Sequence, residues 1–152
     1  MPAYAKGRTD TPLLEQTIGD RLEATASRLP DHEAVVMPHQ NIRWTYRQLD
    51  DAVNRVARGL LARGFEKGDR IGVWAPNLIE WVLMQYATAK VGVIQVNINP
   101  AYRANELAFA LKHSGCKGLV AARRFKTSDY VQMLGMVRDQ CPALSEVKLF
   151  VS

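Results

Sequence analysis

Apolar residues recur along the chain with helical spacing in some stretches and as short continuous runs in others. The first helix is predicted between an N-cap at Thr17 and a stop at Pro30. The apolar residues that share one face of this helix are Ile18, Leu22, Ala26 and Leu29. Two β-favouring runs, EAVVM and IRWTY, come next and are joined by PHQN, which predicts a β-hairpin.

A second helix is predicted to begin at Thr45, because Gln48 three residues later completes a capping box. Its apolar residues again repeat at helical spacing, and Gly64 is predicted to end it. A further capping box is predicted from Asn77 and Glu80. The helix after it, LIEWVLMQYATAKVG, is apolar on nearly every side until Gly92, so we expect it to be buried on more than one face.

From residue 70 onward, short apolar runs alternate with helical stretches. The four runs are RIGVWAP, VIQVNI, CKGLVAA and EVKLFV. Strands rich in Val, Ile and Leu that are each separated by one helix are typical of a parallel sheet covered on both faces. The pattern therefore predicts an α/β fold with a mainly parallel sheet and helices on both faces, preceded by a helix and a β-hairpin. We expect residues 1–16 to be a flexible N-terminal arm and residues 17–152 to be one α/β unit.

Composition and charge narrow the class of protein. Apolar residues make up 47% of the chain and charged residues 23%, which is typical of a globular domain. The net charge of +5 favours anionic partners, but the basic residues are scattered, so nucleic acid is not an expected partner. No apolar run approaches the roughly 20 residues of a membrane helix, and MPAYAKGRTD lacks the apolar core of a signal peptide. We expect a cytoplasmic protein, with peripheral membrane association as the alternative.

No catalytic constellation emerges from the motifs. The sequence contains no GxGxxG, no GxxxxGK[ST] and no GxSxG. His113 and Cys116 are spaced like two metal ligands, but nothing completes a site, and a helix-terminal histidine beside a buried thiol is the better interpretation. Cys116 and Cys141 fit no disulfide framework. We therefore predict neither catalytic residues nor metal ligands within these 152 residues.

Two cationic turns follow neighbouring strands of the predicted sheet. In NPAYR, Tyr102 and Arg103 precede a helix and could stack on a base and pair with a phosphate, although Asn and Pro are equally at home in a plain connector. In AARRFK, Arg123, Arg124 and Lys126 bring three cations within four residues, and a solvated loop is the alternative there. Because parallel strands end at one edge of a sheet, a phosphate-bearing ligand is a plausible occupant.

Three stretches in this order and spacing resemble acyl-CoA synthetases of the acyl-adenylate-forming superfamily. They are RLPDHEAVV, WTYRQLDDAVNRVARGLLARGFEKGDRIGVWAPNLIEW and ATAKVGVIQVNINPAYRANELAFALKHSGCKGLVA. The resemblance runs from about Thr17 to the C-terminus. NINPAYR followed by ELAFALKHSG is most similar to the fatty-acyl branch.

The resemblance implies a two-step ligase. A fatty acid and MgATP give an acyl-adenylate and pyrophosphate, and the thiol of CoA then displaces AMP. The family's phosphate loop ending in Pro-Lys-Gly, its Tyr-Gly-x-Thr-Glu segment and its C-terminal lysine do not occur here. The resemblance therefore implies an N-terminal subdomain of the acyl-adenylate-forming fold that is inactive by itself. ATP, Mg²⁺ and CoA would serve the full-length enzyme, and none is expected to bind tightly to this part.

Site residues also follow from the resemblance by position. In some CoA-ligating relatives, the turn corresponding to NPAYR and the basic loop after the next strand contact the nucleotide end of CoA. The residues implied as CoA contacts are Tyr102, Arg103, Arg123, Arg124 and Lys126. Two alternatives stay open: a protein-interaction or homodimerisation module, and an independent anion-binding α/β domain.

Overall fold

Helices and strands alternate along the chain in a computed structural model that describes residues 6–8 and 10–149. Within these residues, the helices are α1 (Ile18–Arg28), α2 (Tyr46–Ala62), α3 (Ile79–Val91), α4 (Ala104–Ser114) and α5 (Tyr130–Val137). The strands in the same part of the chain are β1 (Glu33–Met37), β2 (Ile42–Thr45), β3 (Arg70–Trp74), β4 (Ile94–Ile98), β5 (Gly118–Ala121), β6 (Arg124–Phe125), β7 (Ser128–Asp129) and β8 (Glu146–Leu149). Short 3-10 turns cover Pro38–Gln40 and Arg138–Gln140.

Four strands form one parallel sheet in the order β4-β3-β5-β8. Side chains alternate across it: Ile71 and Val73 of β3 face one layer of helices, whereas Gly72 and Trp74 face the other. The helices α1, α2 and α3 cover the first face, and α4 and α5 cover the second. The predicted α/β fold with helices on both faces is confirmed.

Several local predictions are also confirmed. The side chain of Thr17 caps α1, and that of Thr45 forms the expected capping box with Gln48. The runs EAVVM and IRWTY pair as the antiparallel hairpin β1-β2. Gly64 has a positive φ where α2 ends. Of the 13 residues of α3, only Gln85 is exposed, as the all-round apolar pattern predicts.

One prediction about a helix end was wrong, and one predicted apolar face is only partly buried. Ile18, the first residue of α1, is 58% exposed although it lies on the same face as the buried Leu22. Asn77 and Glu80 form no capping box, because α3 begins at Ile79, which places Glu80 at the second helical position rather than the third. The N–H of the first helical residue is capped by a side chain that is distant in the sequence. Ile79 N donates to Oε1 of Gln40 at 2.7 Å.

The predicted N-terminal arm falls partly outside the described residues, which exclude residues 1–5 and 9. Residues 6–8 and 10–16 are exposed and carry no helix or strand. Among the residues that the structure describes, no helix combines the length and the apolar character needed to cross a membrane.

A candidate anion-binding edge of the sheet

The strand order creates a crevice at the carboxyl edge of the sheet. β3 is the first strand of the sheet along the chain, and the next two, β4 and β5, lie on its two sides. The connection after β3 runs to β4 on one side, whereas the connection after β5 runs to β8 on the other side. Open α/β sheets bind ligands outside the carboxyl ends of two such neighbouring strands, here β3 and β5. The turns that follow β4 and β5 both lie at this edge because all the strands are parallel.

Two buried aromatic rings lie beneath this edge. Trp74 ends β3 and Tyr130 begins α5, and both are completely buried. The rings stack with centroids 3.5 Å apart and planes 4° from parallel. Stacked aromatic pairs add roughly 0.5–1.5 kcal/mol beyond the area that they bury. The pair therefore joins the end of the first sheet strand to the start of the last helix.

Each ring donates a hydrogen bond to the turn after β4. Nε1 of Trp74 donates to the carbonyl oxygen of Asn99 at 3.2 Å, and the hydroxyl of Tyr130 donates to the carbonyl oxygen of Pro100 at 2.5 Å. Burial raises the pKa of Tyr130 to about 12, so the hydroxyl keeps its proton throughout the physiological range. Within the turn, Asn99 Oδ1 accepts from the N–H of Ala101 at 2.8 Å. The first cationic turn is thus held by two buried donors.

The second cationic turn is attached to the same tyrosine. The N–H of Tyr130 donates to the carbonyl oxygen of Arg123 at 3.0 Å. The segment after β5, expected to be a loop, instead folds into the two-residue antiparallel ribbon β6-β7. Lys126 takes the left-handed conformation (φ 52°) at its tip. A turn of this tightness is not visible in AARRFKTSD because no glycine or asparagine marks the left-handed position.

The five residues implied as CoA contacts are all exposed at or near this edge. Tyr102 is 37% exposed. The N–H of Arg103 donates to the Glu106 carboxylate at 3.0 Å, while its side chain faces solvent. Within residues 6–8 and 10–149, no acidic side chain forms an ion pair with Arg103, Arg123, Arg124 or Lys126. The two turns meet through their backbones at Tyr130, and Lys126 lies at the ribbon tip beyond that junction.

Two partly buried lysines, Lys90 and Lys117, have acidic partners. Nζ of Lys90 lies 2.6 Å from Glu23 and 2.8 Å from Asp50, and Nζ of Lys117 lies 2.5 Å from Asp69. Those cations are neutralised inside the protein. The cations of the carboxyl edge are instead exposed to solvent.

His113 and Cys116 take separate places. His113 stacks on Phe109 with ring centroids 5.3 Å apart, whereas Cys116 is buried beside Ser114, and burial raises the pKa of its thiol. Across residues 6–8 and 10–149, no group of three or more His, Cys, Asp or Glu side chains is placed to hold a metal ion.

An apolar cavity of about 360 Å³ lies on the face of the sheet that α2 and α3 cover, opposite the face that carries Trp74. It is lined by α2, α3 and the face of the sheet that carries Ile71 and Val120, with Arg55 and Arg63 among its polar lining residues. The cavity is separate from the cationic turns, since none of their residues lines it.

The sequence analysis identified neither Tyr130 nor Trp74 as a residue of this site. A tryptophan that ends a strand and a tyrosine that opens a helix are each common in cores. Their pairing spans 56 positions (130 − 74), and nothing local in either segment indicates it. The sequence contained one indication of this pairing. Two aromatic residues that can donate hydrogen bonds lie at the predicted carboxyl edge, beside a turn whose carbonyl groups can accept them.

The profile of a protein family described as "AMP-binding enzyme" matches residues 22–151. The chain belongs to this family. Medium-chain acyl-CoA ligase ACSF2, mitochondrial, from Rattus norvegicus is 47% identical over 146 residues, which is 96% of this chain. The putative acyl-CoA synthetase YngI of Bacillus subtilis is 40% identical over 136 residues, or 90% of the chain. The chain spans 23% and 24% of the length of these two AMP-binding enzymes.

Solved structures support the same assignment. The N-terminal domain of FACL13 from Mycobacterium tuberculosis superposes with a TM-score of 0.81 at 30% identity, covering 88% of this chain and 33% of that one. A long-chain-fatty-acid-CoA ligase (FadD1) from Archaeoglobus fulgidus gives a TM-score of 0.83 over 97% of this chain and 30% of that one, and at 23% identity it supports the fold alone. The resemblance to the acyl-adenylate-forming enzymes and to their N-terminal fold is confirmed. The family match does not favour an interaction module.

Proposed function

We propose that this chain is the N-terminal portion of an ATP-dependent fatty-acid–CoA ligase. The observation that carries the proposal is the 47% identity over 146 residues to an enzyme named a medium-chain acyl-CoA ligase. In the proposed reaction, a fatty-acid carboxylate attacks the α-phosphorus of ATP and releases pyrophosphate. The thiolate of CoA then attacks the acyl carbonyl, and AMP leaves.

The cationic edge is the part of this chain that we assign to the reaction. Arg103, Arg123, Arg124 and Lys126 offer positive charges to the phosphates at the nucleotide end of CoA, and the exposed ring of Tyr102 offers a stacking surface for a base. These residues would bind and orient CoA without taking part in bond making. We propose Mg²⁺ as a cofactor of the full-length enzyme and assign none of these five residues to it.

The same proposal covers partners and location. Fatty acid, ATP and CoA are the proposed substrates of the full-length enzyme, and a homodimer is the proposed assembly. We place the enzyme in the cytoplasm or at a membrane surface. Mitochondrial targeting is the competing outcome, since the rat relative is named a mitochondrial enzyme. The location of the tagged full-length protein would separate the two.

The activity is tested with the full-length enzyme, ATP, CoA and saturated fatty acids of increasing chain length. We expect acyl-CoA and AMP in equal amounts, with the highest kcat/KM for a medium-chain acid, and no product from the 152-residue chain alone. Acyl-CoA can be quantified by mass spectrometry and AMP by chromatography. Turnover without CoA-ester formation, or with no dependence on ATP, would contradict the proposed function.

The cationic edge is tested with Arg103→Ala and Arg124→Ala. Each removes one charge-assisted contact, so we expect the KM for CoA to rise roughly tenfold while the KM for ATP stays constant. The matched control is Arg58→Ala, which removes an exposed arginine of α2 on the other face of the sheet. An unchanged KM for CoA in both variants would remove these residues from the site.

A further inference from the structure

Trp74 and Tyr130 hold consecutive carbonyl groups of one turn. The indole N–H of Trp74 is directed to Asn99, and the hydroxyl of Tyr130 is directed to Pro100. Both side chains are completely buried, so neither polar group can exchange its partner for water. A buried hydroxyl without a hydrogen bond lowers the free energy of unfolding. The bond to Pro100 therefore both satisfies the Tyr130 hydroxyl and restricts the position of the turn.

Core packing alone does not require this arrangement. A phenylalanine at position 130 would retain the stack with Trp74, and it would bury no polar atom. The hydroxyl adds one property that packing lacks, which is a directional bond to the turn that carries Tyr102 and Arg103.

Tyr130 also reaches the second cationic turn. Its own N–H donates to the carbonyl of Arg123, next to Arg124 at the start of the ribbon. One residue thereby bonds to both turns, through its side chain on one side and its backbone on the other. A shift of either turn relative to Tyr130 would break one of these bonds.

We infer that Tyr130 is a positioning residue that holds the two cationic turns as a single rigid phosphate-binding edge, with Trp74 as the platform on which its ring is fixed. The inference rests on the proposed function for the identity of the ligand, the phosphate-bearing nucleotide end of CoA. The rigidity itself depends only on the contacts above.

The test is Tyr130→Phe in the full-length enzyme, with CoA and pantetheine compared as acceptor thiols. Losing one neutral hydrogen bond is expected to raise the KM for CoA roughly fivefold. The KM for pantetheine, which lacks the nucleotide phosphates, should stay constant, as should fatty-acid-dependent pyrophosphate–ATP exchange. A general structural defect would alter all three. An unchanged KM for CoA, or an equal rise for both thiols, would overturn the inference.

The matched control is Tyr86→Phe, a half-buried tyrosine of α3 whose hydroxyl has no hydrogen-bond partner among the described residues. It should leave both thiols unaffected. Trp74→Phe removes the second donor together with part of the ring that stacks on Tyr130, and it should shift the KM for CoA in the same direction. If Trp74→Phe does not fold, Tyr130→Phe decides the question, because it deletes a single oxygen.

Hydrogen–deuterium exchange separates this inference from the proposed function. In Tyr130→Phe, amides of residues 99–103 and of residues 122–126 should exchange faster together, while those of α2 should not change. That result would support the coupling of the turns even if the wild-type enzyme made no acyl-CoA. Faster exchange in only one of the two turns, or in neither, would overturn the coupling even in an active ligase.

Discussion

Asp69 and Lys117 form an ion pair at the amino edge of the sheet, opposite the cationic turns. Asp69 precedes β3 and Lys117 precedes β5, and Nζ of Lys117 also donates to the carbonyl of Gly64 at 2.6 Å. The hydrogen bond from Lys117, with a second from the N–H of Glu66, lowers the pKa of Asp69. This ion pair thus joins the starts of the neighbouring strands β3 and β5.

The lowered pKa of Asp69 predicts an acid-dependent stability. The pair stabilises the native state above the ordinary aspartate pKa of about 3.9, and the contribution disappears as pH falls through the lower folded-state value. Asp69→Asn should therefore be less stable than wild type at pH 7, and the difference should shrink below about pH 4. Urea unfolding at pH 7 and at lower pH measures both free energies.

The control for this prediction is Asp51→Asn, which changes an exposed aspartate of α2 that has no ion pair among the described residues. Its free energy of unfolding should follow that of wild type at every pH. A difference for Asp69→Asn that stays constant down to pH 2.5 would show that lost packing, rather than charge, explains the effect.

The beginning of α3 depends on another element. The N–H of Ile79 donates to Oε1 of Gln40, while Nε2 of Gln40 donates to Glu80 at 3.1 Å. Gln40 ends the 3-10 turn of the hairpin, so the hairpin and the helix are joined by this one side chain. Asn77, the cap expected from the sequence, instead offers its carbonyl oxygen 3.1 Å from Nε2 of His39.

Gln40→Ala should destabilise the protein by about 1 kcal/mol, the usual effect of losing a helix cap. Gln85→Ala is the matched control, because Gln85 is the exposed residue of the same helix. Chemical denaturation monitored by circular dichroism would measure the free energy of unfolding of both variants. Equal stability of Gln40→Ala and wild type would mean that water caps the helix as well as Gln40 does.

Across the whole molecule, Lys90 joins the first three helices. It lies on α3, and its side chain is 8% exposed and bonds to Glu23 of α1 and to Asp50 and Asn54 of α2. Burial lowers the pKa of Lys90, but the bonds to Asp50 and Glu23 outweigh it, and the net pKa is raised. Helix α1 comes close at Gly19, where a Cβ would lie 2.9 Å from Cγ of Lys90.

Lys90→Met should therefore loosen α1 and lower the free energy of unfolding by about 2 kcal/mol. This is less than for a completely buried pair, because Glu23 remains in contact with water. The rate of amide hydrogen exchange should rise first in α1. Urea unfolding measures the total decrease in the free energy of unfolding. Lys112→Met, an exposed lysine of α4, is the control. Unchanged protection of α1 in Lys90→Met would show that apolar contacts alone hold this helix.

The sequence by itself determined the succession of the five helices, the β1-β2 hairpin and the strands of the parallel sheet, and it indicated the family. Helical periodicity, runs of Val and Ile, and local caps such as Thr45 with Gln48 depend on neighbours within one turn of chain. For the same reason, both cationic turns could be identified at strand ends. Arg103 and Arg124 are exposed there, as their positions after apolar strands indicate.

Only the tertiary structure decided which distant residues complete these local features. Gln40 caps a helix 39 positions away, and Tyr130 bonds to a turn 30 positions away. Such bonds form because burial removes water as a competing partner, and the chain path, not local spacing, determines which polar group is within reach. The sequence therefore located the two cationic turns, whereas the fold decided that a single buried tyrosine holds both.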